Sequence, residues 1–345
     1  MRIEDQKILE QKLKLIRGKG EYDCLVGISG GKDSAYVAYQ LKNRYGLKVL
    51  TYTNDNGFLT DCARENISLI VEKLHLEHRY VKIPMKMLKY FYRWSLLHCG
   101  WPCEACIRVS RVIGSKIVLE NNIPLFVKGH TPYQMFNKVI PLKNNSIWER
   151  FPEELIGRRT RKQERETFKK VLVESKRIFQ ETARKMQDES KKFCNAFLVD
   201  EESCEKTTPC PEYLNYFLYE KYNENQIKRF LTKKLGFILP DDSRILQHSD
   251  CLIHDAAKYM QFEVLGYSSL AQELSVMIRE GTINREDAFA RIKEEKHLFE
   301  TPIESLNMFS KRCEISMKEI KRFIFYAKMR HSLKRFLINY FRLQF

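Results

Sequence analysis

The sequence of 345 residues lacks long uninterrupted apolar segments, and it contains neither internal repeats nor low-complexity tracts. No window approaches the roughly 18 apolar residues that a membrane-spanning helix needs. Residues 1–20 place Ile8, Leu9, Leu13 and Ile16 at helical spacing among charges, without the continuous apolar centre of a signal peptide. We therefore expect a cytoplasmic protein without a transmembrane segment, in which the ten cysteines are reduced thiols, metal ligands or catalytic groups.

The composition is that of a folded protein with a strong positive charge. Hydrophobic residues make up 43% and aromatic residues 12% of the chain, which excludes wholesale disorder, and the formal net charge is +16. Such a charge suits a polyanionic partner such as RNA or an anionic membrane surface. However, much of the excess lies in segments that also carry glutamate, such as 158–192, so charge alone does not identify a partner.

The segment 29–34, Ser-Gly-Gly-Lys-Asp-Ser, is the strongest functional signal. The apolar run 22–28 before it predicts a buried strand, and 34–45 after it predicts a helix. Two glycines between strand and helix expose successive backbone N–H groups at a helix N-terminus, where anions bind. Lys32 adds a positive charge, and the serines add hydroxyl donors. Together these features predict a phosphate-binding loop for a nucleotide.

This loop is neither a Walker P-loop nor a GxGxxG dinucleotide loop, because the required spacing and the third glycine are missing. SGGKDS resembles the signature of the PP-loop ATP pyrophosphatases. The resemblance implies that the chain splits ATP into AMP and pyrophosphate, transferring AMP to a substrate oxygen. It also implies an ATP-binding set, with Lys32 and Asp33 in catalytic roles and Asp33 as the Mg²⁺ ligand. That set is Ser29, Gly30, Gly31, Lys32, Asp33 and Ser34.

The order of predicted elements indicates an α/β fold with a doubly wound parallel sheet, which is the HUP-like nucleotide-binding architecture. We expect this ATP-binding domain over residues 1–145, where the alternation of strands and helices ends. A charged helical insertion and linker follows at 146–211, and a mainly helical region fills 212–345. The insertion is either a solvated helical segment or an arm for RNA binding or homodimer formation, through Arg158, Arg159, Arg161 and Lys162.

Three further residues follow predicted strands and belong at the same sheet edge as the loop. Asp55 is a candidate for binding metal or nucleotide, and alternatively a turn-forming residue. Gly129 and His130 close a later strand, and similar Gly-His pairs lie beside the nucleotide in several PP-loop enzymes. His130 is therefore a candidate phosphate contact or acid, with a structural role equally open.

Cys103 and Cys106 form a C-x-x-C pair just before a predicted helix, and Cys251 is the best remote partner. Three thiolates on a 4Fe–4S cluster would leave one iron free to bind sulfur and hand it on. This layout resembles the tRNA-thiolating PP-loop enzymes. The alternatives are a zinc site that adds Cys99 or His98, a redox or persulfide pair, and ordinary buried thiols.

A second resemblance lies near the C-terminus. Gly266-Tyr267 and the segment 274–288, LSVMIREGTINREDA, are similar to N-acetyl sugar amidotransferases of surface-polysaccharide (LPS, O-antigen) biosynthesis. These PP-loop enzymes use ammonia from a partner glutaminase. The chain departs from that family because it has no cysteine-rich N-terminal segment and because it carries the C-x-x-C pair.

Both resemblances share the first chemical step, in which a substrate oxygen attacks the α-phosphate of ATP. In the interpretation that the cysteines favour, sulfur then replaces that oxygen on tRNA, supplied by a sulfur donor. In the alternative, ammonia is transferred to a sugar nucleotide. A non-catalytic nucleotide-binding module is the third possibility, and the intact Lys32, Asp33 and Ser34 argue against it.

Overall fold

The computed structural model describes residues 3–131, 133–134, 160–186, 188–199, 203–204, 211–239, 250–279, 281–295 and 300–342. The first part of the chain contains α1 (Ile3–Ile16), β1 (Cys24–Gly27), α2 (Lys32–Tyr39, continued by a π-helical turn Gln40–Arg44), β2 (Val49–Asp55), α3 (Asp61–Lys73), β3 (Glu77–Lys82), α4 (Met85–His98), α5 (Cys103–Glu120) and β4 (Leu125–Lys128). The remainder contains α6 (Arg161–Ala183), α7 (Asp188–Phe197), β5 (Glu212–Asn215), a 3₁₀ turn (Tyr216–Leu218), α8 (Glu224–Leu235), α9 (His254–Leu265), α10 (Ser269–Arg279), α11 (Arg285–Lys293), α12 (Ile303–Cys313) and α13 (Met317–Arg342).

The described strands form one parallel sheet in the order β3-β2-β1-β4-β5, which confirms the predicted doubly wound α/β fold. Chain order reverses between β1 and β4. Strands β2 and β3 lie on one side of β1, and β4 and β5 lie on the other. In open parallel sheets a ligand binds at the carboxyl ends of the strands beside such a reversal. The loop at 29–34 follows β1 and therefore lies at that point.

Helices cover both faces of the sheet, as the continuously apolar central strands require. Leu25 and Phe126 face α4, α5 and α6, and that core continues into α9, α12 and α13. Cys24, Val26 and Val127 face the opposite core, which includes residues of α1, α2, α3 and α8. The helical C-terminal region, which the sequence predicts, thus packs on the nucleotide-binding fold from two sides.

The structure differs from two expectations about where secondary-structure elements lie, and the division into domains stays a prediction. The alternation does not end near residue 145, because β5 adds a fifth parallel strand beside β4. A strand of four residues at a sheet edge gives too short a pattern to read from sequence. The C-x-x-C pair does not precede a helix either, because α5 begins at Cys103 after Pro102, a residue that suits a helix start.

The predicted arm lies only partly within the described residues. Arg158 and Arg159 are outside them, whereas Arg161 opens α6 and pairs with buried Glu212 of β5 at 2.5 Å. That contact joins α6 to the sheet. None of the helices described is both long and apolar enough to cross a lipid bilayer.

Candidate functional site

The turn between β1 and α2 can be made only by glycine at position 30. Gly30 has φ of 81°, and a Cβ atom there would lie 2.3 Å from the carbonyl oxygen of Ala63 in α3. Contact that close forces a backbone shift, so the missing side chain lets the loop lie directly on α3. Gly31 is the N-cap of α2, with no side chain capping the helix in the described structure. The first N–H groups of α2 are therefore available to an anion.

The two serines brace this turn from inside. The Ser34 hydroxyl donates to the Gly31 carbonyl at 3.0 Å, and the backbone N–H of Ser29 donates to Ser34 Oγ at 3.4 Å. The backbone N–H of Gly31 in turn donates to Ser29 Oγ at 3.4 Å. Both hydrogen bonds from loop amides to the serine hydroxyls are long. A phosphate oxygen could take the place of the hydroxyls and accept shorter, charge-assisted hydrogen bonds from the same amides.

Lys32 is held by two carboxylates. Its ammonium lies 3.3 Å from Asp33 Oδ2 and 3.7 Å from Glu224 Oε1 at the start of α8. Glu224 also pairs with Lys228 at 3.0 Å and Arg291 at 3.2 Å. Burial alone would raise the pKa of Glu224, but these three cations outweigh burial and hold it below its usual value. Glu224 is thus ionised and keeps Lys32 beside the loop.

Asp33 carries a charge that its surroundings only partly compensate. The Tyr222 hydroxyl donates to Asp33 Oδ1 at 3.1 Å. Burial raises the pKa of Asp33, while the charge of Lys32 and the hydrogen bonds from Lys32 and Tyr222 oppose that shift without cancelling it. A half-buried carboxylate with a raised pKa is suited to receive a divalent cation, which would stabilise its ionised form.

Asp55 is at the same sheet edge, but both of its carboxylate oxygens accept hydrogen bonds from other residues of the protein. It is 3% exposed, Oδ1 accepts from the Gly57 backbone N–H at 2.9 Å, and Oδ2 accepts from Tyr80 at 2.7 Å and Arg64 at 3.3 Å. Burial would raise the pKa of Asp55, but those three donors outweigh it and lower the pKa. This arrangement is what the turn-forming alternative predicts.

The end of β4 also reaches the loop. A Cβ atom on Gly129 would lie 3.3 Å from both the Asp33 carbonyl oxygen and a methyl group of Val37, so β4 passes close to the first turn of α2. His130 follows directly and is half-buried. The predicted pair is therefore next to the loop, and the role of His130 stays a prediction.

A short segment from the C-terminal region connects the loop to the thiols. Asp250 O accepts from the Thr60 N–H at 3.3 Å, and the Leu252 N–H donates to Phe58 O at 2.8 Å. Cys251, between them, forms an antiparallel bridge with Leu59. Burial raises the pKa of the Asp250 carboxyl, and a hydrogen bond from Ser29 opposes that shift. Asp250 therefore contacts the phosphate loop while its neighbour Cys251 approaches the C-x-x-C pair.

The three predicted thiols lie in one region. Cys106 Sγ is 3.3 Å from the Tyr92 hydroxyl and 3.6 Å from Asn56 Nδ2. Burial raises the pKa of Cys251, and the nearby Cys106 and Cys103 thiolates raise it further. Cys103 is reached by solvent, whereas Cys106 and Cys251 are half-buried. Within the described ranges, however, no three His, Cys, Asp or Glu side chains are arranged to hold a metal ion.

His98, the alternative zinc ligand, makes contacts with Trp94 and Glu181. Its Nδ1 lies 2.8 Å from the Trp94 carbonyl, its Nε2 is 3.4 Å from Glu181, and its ring stacks on Trp94 at 4.3 Å between centroids. These contacts fix the imidazole between α4 and α6. They do not involve the C-x-x-C pair.

Sequence reasoning missed several residues that face the loop. They are Tyr222 and Glu224, which act on Asp33, Asp250, which is bonded by Ser29, and Glu273, whose carboxyl is influenced by the charges of Lys32 and Asp33. All of them lie beyond residue 211, so nothing local to the loop could identify them. The one available signal was position, since Glu273 directly precedes the segment 274–288.

Comparison with known proteins gives one family match and partial relatives. Residues 212–336 match the family described as LPS biosynthesis protein WbpG-like, C-terminal domain. The NH₃-dependent NAD⁺ synthetase of Pyrococcus horikoshii is 34% identical over 89 residues, which are 24% of this chain and 32% of that protein. The match thus spans about a third of the length of that relative.

Solved structures are similar at low identity. The U34-tRNA thiolase NcsA from Methanococcus maripaludis, with its 4Fe–4S cluster, is 14% identical with a TM-score of 0.40, covering 86% of this chain and 77% of that one. The NH₃-dependent NAD synthetase from Campylobacter jejuni is 13% identical with a TM-score of 0.32, covering 69% and 95%. NMN synthetase from Francisella tularensis is 14% identical with a TM-score of 0.32, covering 69% and 98%.

The loop, the sheet order and the sequence matches fit the PP-loop superfamily of ATP-using enzymes. The C-terminal region is similar to the WbpG-like LPS biosynthesis domain, and 89 residues of the chain are similar to an NH₃-dependent NAD⁺ synthetase.

Proposed function

We propose that this chain is an ATP-dependent amidotransferase, which adenylylates an oxygen of a nucleotide-linked N-acetyl sugar and replaces it with nitrogen from ammonia. The observation that carries the proposal is that side chains from the C-terminal region surround the phosphate loop. Tyr222, Glu224 and Asp250 all belong to the segment that matches the LPS biosynthesis family. The partial similarity to an NH₃-dependent synthetase supports the same kind of nitrogen donor.

The residues of the loop fit the phosphates of ATP. The N–H groups after Gly31 and the hydroxyls of Ser29 and Ser34 would bind phosphate oxygens. Lys32 would turn from its carboxylate partners to the phosphates, keeping its charge in the site. Asp33, whose buried charge is incompletely compensated, fits Mg²⁺, and the bound ion would neutralise phosphate charge.

The reaction proceeds in two displacements. The substrate oxygen attacks the α-phosphorus, the bond to the β-phosphate oxygen breaks, and pyrophosphate leaves with that electron pair. Ammonia then attacks the activated carbon, and AMP leaves with the electrons of the carbon–oxygen bond. The protein contributes chiefly by orientation, which is worth roughly 7–11 kcal/mol in favourable cases, and by charge neutralisation.

A product assay tests the proposal. The protein is incubated with MgATP, ammonium chloride and UDP-linked N-acetyl sugars with and without a carboxylate, and nucleotides are separated by chromatography. We expect AMP and pyrophosphate in equal amounts, with both the sugar and ammonium required for full turnover. Formation of ADP and phosphate, or AMP formation only with tRNA and a persulfide donor, would contradict it.

A second candidate is sulfur transfer to tRNA, favoured by the approach of Cys103, Cys106 and Cys251 to one another. An anaerobic preparation tests it. If the thiols hold a 4Fe–4S cluster, the protein absorbs near about 400 nm, and Cys251→Ser abolishes that colour. Cys62→Ser, on α3, is the control and leaves the colour unchanged. A colourless anaerobic protein containing zinc or no metal would exclude the cluster.

A further inference from the structure

The side chain of His78 carries a buried acceptor without a donor. His78 lies on β3, and its Nδ1 is 3.0 Å from the hydroxyl oxygen of Thr51. That hydroxyl donates its proton to the Glu77 carbonyl at 2.9 Å, and a carbonyl can only accept. The hydrogen bond between Thr51 and His78 must therefore come from Nδ1–H. Nε2 then keeps a lone pair, and it is buried with no hydrogen-bond partner among the described residues.

Burial keeps the imidazole of His78 neutral. It lowers the pKa of His78 to about 4, so at neutral pH the ring holds one proton and Nε2 only accepts. Thr51, which fixes the nitrogen that carries this proton, is itself fully buried. Native proteins leave few buried polar atoms unpaired, because each one costs stability. The position therefore indicates a ligand that donates a hydrogen bond.

His78 lines a groove of about 330 Å³ between α3 and β3. Ile67, Ser68 and Val71 form the α3 wall, at the spacing of one helical face, and His78 and Tyr80 form the β3 wall. The two β3 rings are 6.4 Å apart between centroids, at an angle of 61°. Small-molecule sites typically have roughly 300–1,000 Å³, apolar walls and a few polar groups. The groove thus fits a flat ring with apolar faces and an N–H group at its edge.

The groove has a positive end beside the phosphate loop and a negative end away from it. Arg64, near the start of α3, and Glu72, near its end, both line the groove, with about 12 Å of helix between them. Arg64 follows Ala63, on which the phosphate loop packs. In the described structure Arg64 donates through Nη1, to Asp55 and Tyr80, so its other N–H groups are open to a ligand. A ligand with a neutral ring and an anionic tail therefore binds with the tail toward the loop.

A metal ion is a poorer occupant of this groove than an N–H donor. Neutral imidazole can bind zinc through Nε2, but a zinc site needs three or four protein ligands. Among the residues that the structure describes, no three His, Cys, Asp or Glu side chains are arranged to hold a metal ion. The lone pair of His78 is left for a hydrogen bond.

We propose that this groove binds the uracil ring of a UDP-linked sugar, with the ring N–H donating to His78 Nε2 and the diphosphate directed toward Arg64. The proposal rests on the amidotransferase function, which needs a place for a nucleotide-linked acceptor besides the one for ATP. Uracil carries its ring N–H between two carbonyl oxygens, so a carbonyl can also accept from the Ser68 hydroxyl. Cytosine has a lone pair at the same ring position, which the lone pair of Nε2 repels.

The test measures binding of UDP to the full chain by calorimetry, without ATP. The measurement is repeated with 3-methyl-UDP, in which a methyl group replaces the hydrogen of the ring N–H, and with CDP. We expect UDP to bind at least about tenfold more tightly than either, because they leave the buried lone pair unpaired. His78→Phe should weaken UDP binding by a similar factor and remove the preference for UDP over 3-methyl-UDP. MgATP affinity, measured separately, should be unchanged.

Two further variants make the test specific. His75→Asn is the matched control, because it removes an exposed imidazole that does not line the groove, and asparagine tolerates the φ of 48° at this position. Its affinity for UDP should equal that of the parent. Arg64→Gln should weaken binding of UDP but not of uridine, which has no phosphate. The comparison of UDP with 3-methyl-UDP needs no variant, so it decides the question even where a variant folds poorly.

The outcomes separate the two proposals. If the parent binds UDP and 3-methyl-UDP equally, or if His78→Phe keeps the preference, the uracil site is wrong even when AMP is formed with UDP-linked sugars. If His78→Phe weakens MgATP binding and leaves UDP binding unchanged, the groove holds adenine and the inference is overturned. If UDP binding depends on His78 but no UDP-linked sugar supports AMP formation, the amidotransferase function fails and the uracil site stands.

Discussion

The Tyr222 hydroxyl donates a hydrogen bond of 3.1 Å to Asp33 Oδ1, and the two residues are separated by 189 positions in the chain. Tyr222 precedes α8, in the region similar to the WbpG-like domain, and Asp33 lies in the first turn of α2. The bond ties the orientation of a candidate magnesium ligand to the C-terminal region. The C-terminal region thus contributes directly to the surroundings of the phosphate loop.

Tyr222→Phe should weaken MgATP binding and move its acid limit to higher pH. The hydrogen bond from Tyr222 lowers the pKa of Asp33, so its loss leaves the carboxyl protonated to a higher pH. A lost bond to a charged group costs about 1.5–3 kcal/mol. MgATP affinity is measured by calorimetry across pH, with Tyr326→Phe on the exposed side of α13 as the control. An unchanged pH profile would show that Asp33 does not act through its charge.

Lys32→Ala should abolish most ATP turnover. Removal of one preorganised donor from a charge-stabilising site typically costs 10²–10³-fold in rate, or about 3–4 kcal/mol. The measurement is AMP formation under saturating MgATP. Lys116→Ala is the control, because Lys116 pairs with Glu120 one helical turn further along α5. If the Lys32 variant bound and cleaved ATP as the parent does, the loop would not be the nucleotide site.

Gly30→Ala should destabilise the fold far more than Gly266→Ala does. Both glycines have positive φ, at 81° and 76°, so both alanine variants are strained by about 1–2 kcal/mol. Of these two positions, only at 30 does the new Cβ meet backbone, 2.3 Å from Ala63 O, whereas at 266 no atom of the described residues other than its chain neighbours lies within 4 Å of it. Overpacking adds roughly 1–3 kcal/mol. Urea unfolding of both variants measures the difference, and equal losses would contradict the close contact with α3.

Asp55→Asn should lower stability more than it lowers MgATP affinity, and Asp33→Asn should do the reverse. Asp55 is buried, and its donors hold its pKa below the usual value. Its ionised form therefore stabilises the fold above the pKa of the unfolded chain, and this contribution is lost as the pH falls through the lower folded pKa. Urea unfolding at neutral and acid pH measures the effect. If Asp55→Asn reduced MgATP affinity as strongly as Asp33→Asn, Asp55 would be a ligand.

The sequence was informative where structure is set by neighbouring residues. The bend at Gly30 and Gly31, the buried strand before it and the helix after it are all local, and each has its own pattern of residue types. Alternation of strands and helices was also enough to predict the parallel sheet.

The partners of the loop could not be read in the same way. Glu224 reaches the loop only through the packing of α8, and its local sequence resembles that of any charged helix. The same holds for Asp55, because Arg64 and Tyr80, which donate hydrogen bonds to its carboxylate, come from separate elements. Chemistry that depends on such distant contacts is visible only once the chain is folded.

The place of β5 limits how this protein can be divided. The family match begins at residue 212, and β5 (Glu212–Asn215) pairs with β4 along its whole length. A fragment that begins at residue 212 would contain β5 without its pairing partner. The remaining N-terminal fragment would expose β4 as an unpaired edge strand. Exposed strand edges recruit other strands, so we expect both pieces to aggregate when produced alone. Domain exchange with a related enzyme should therefore keep residues from β4 through β5 together.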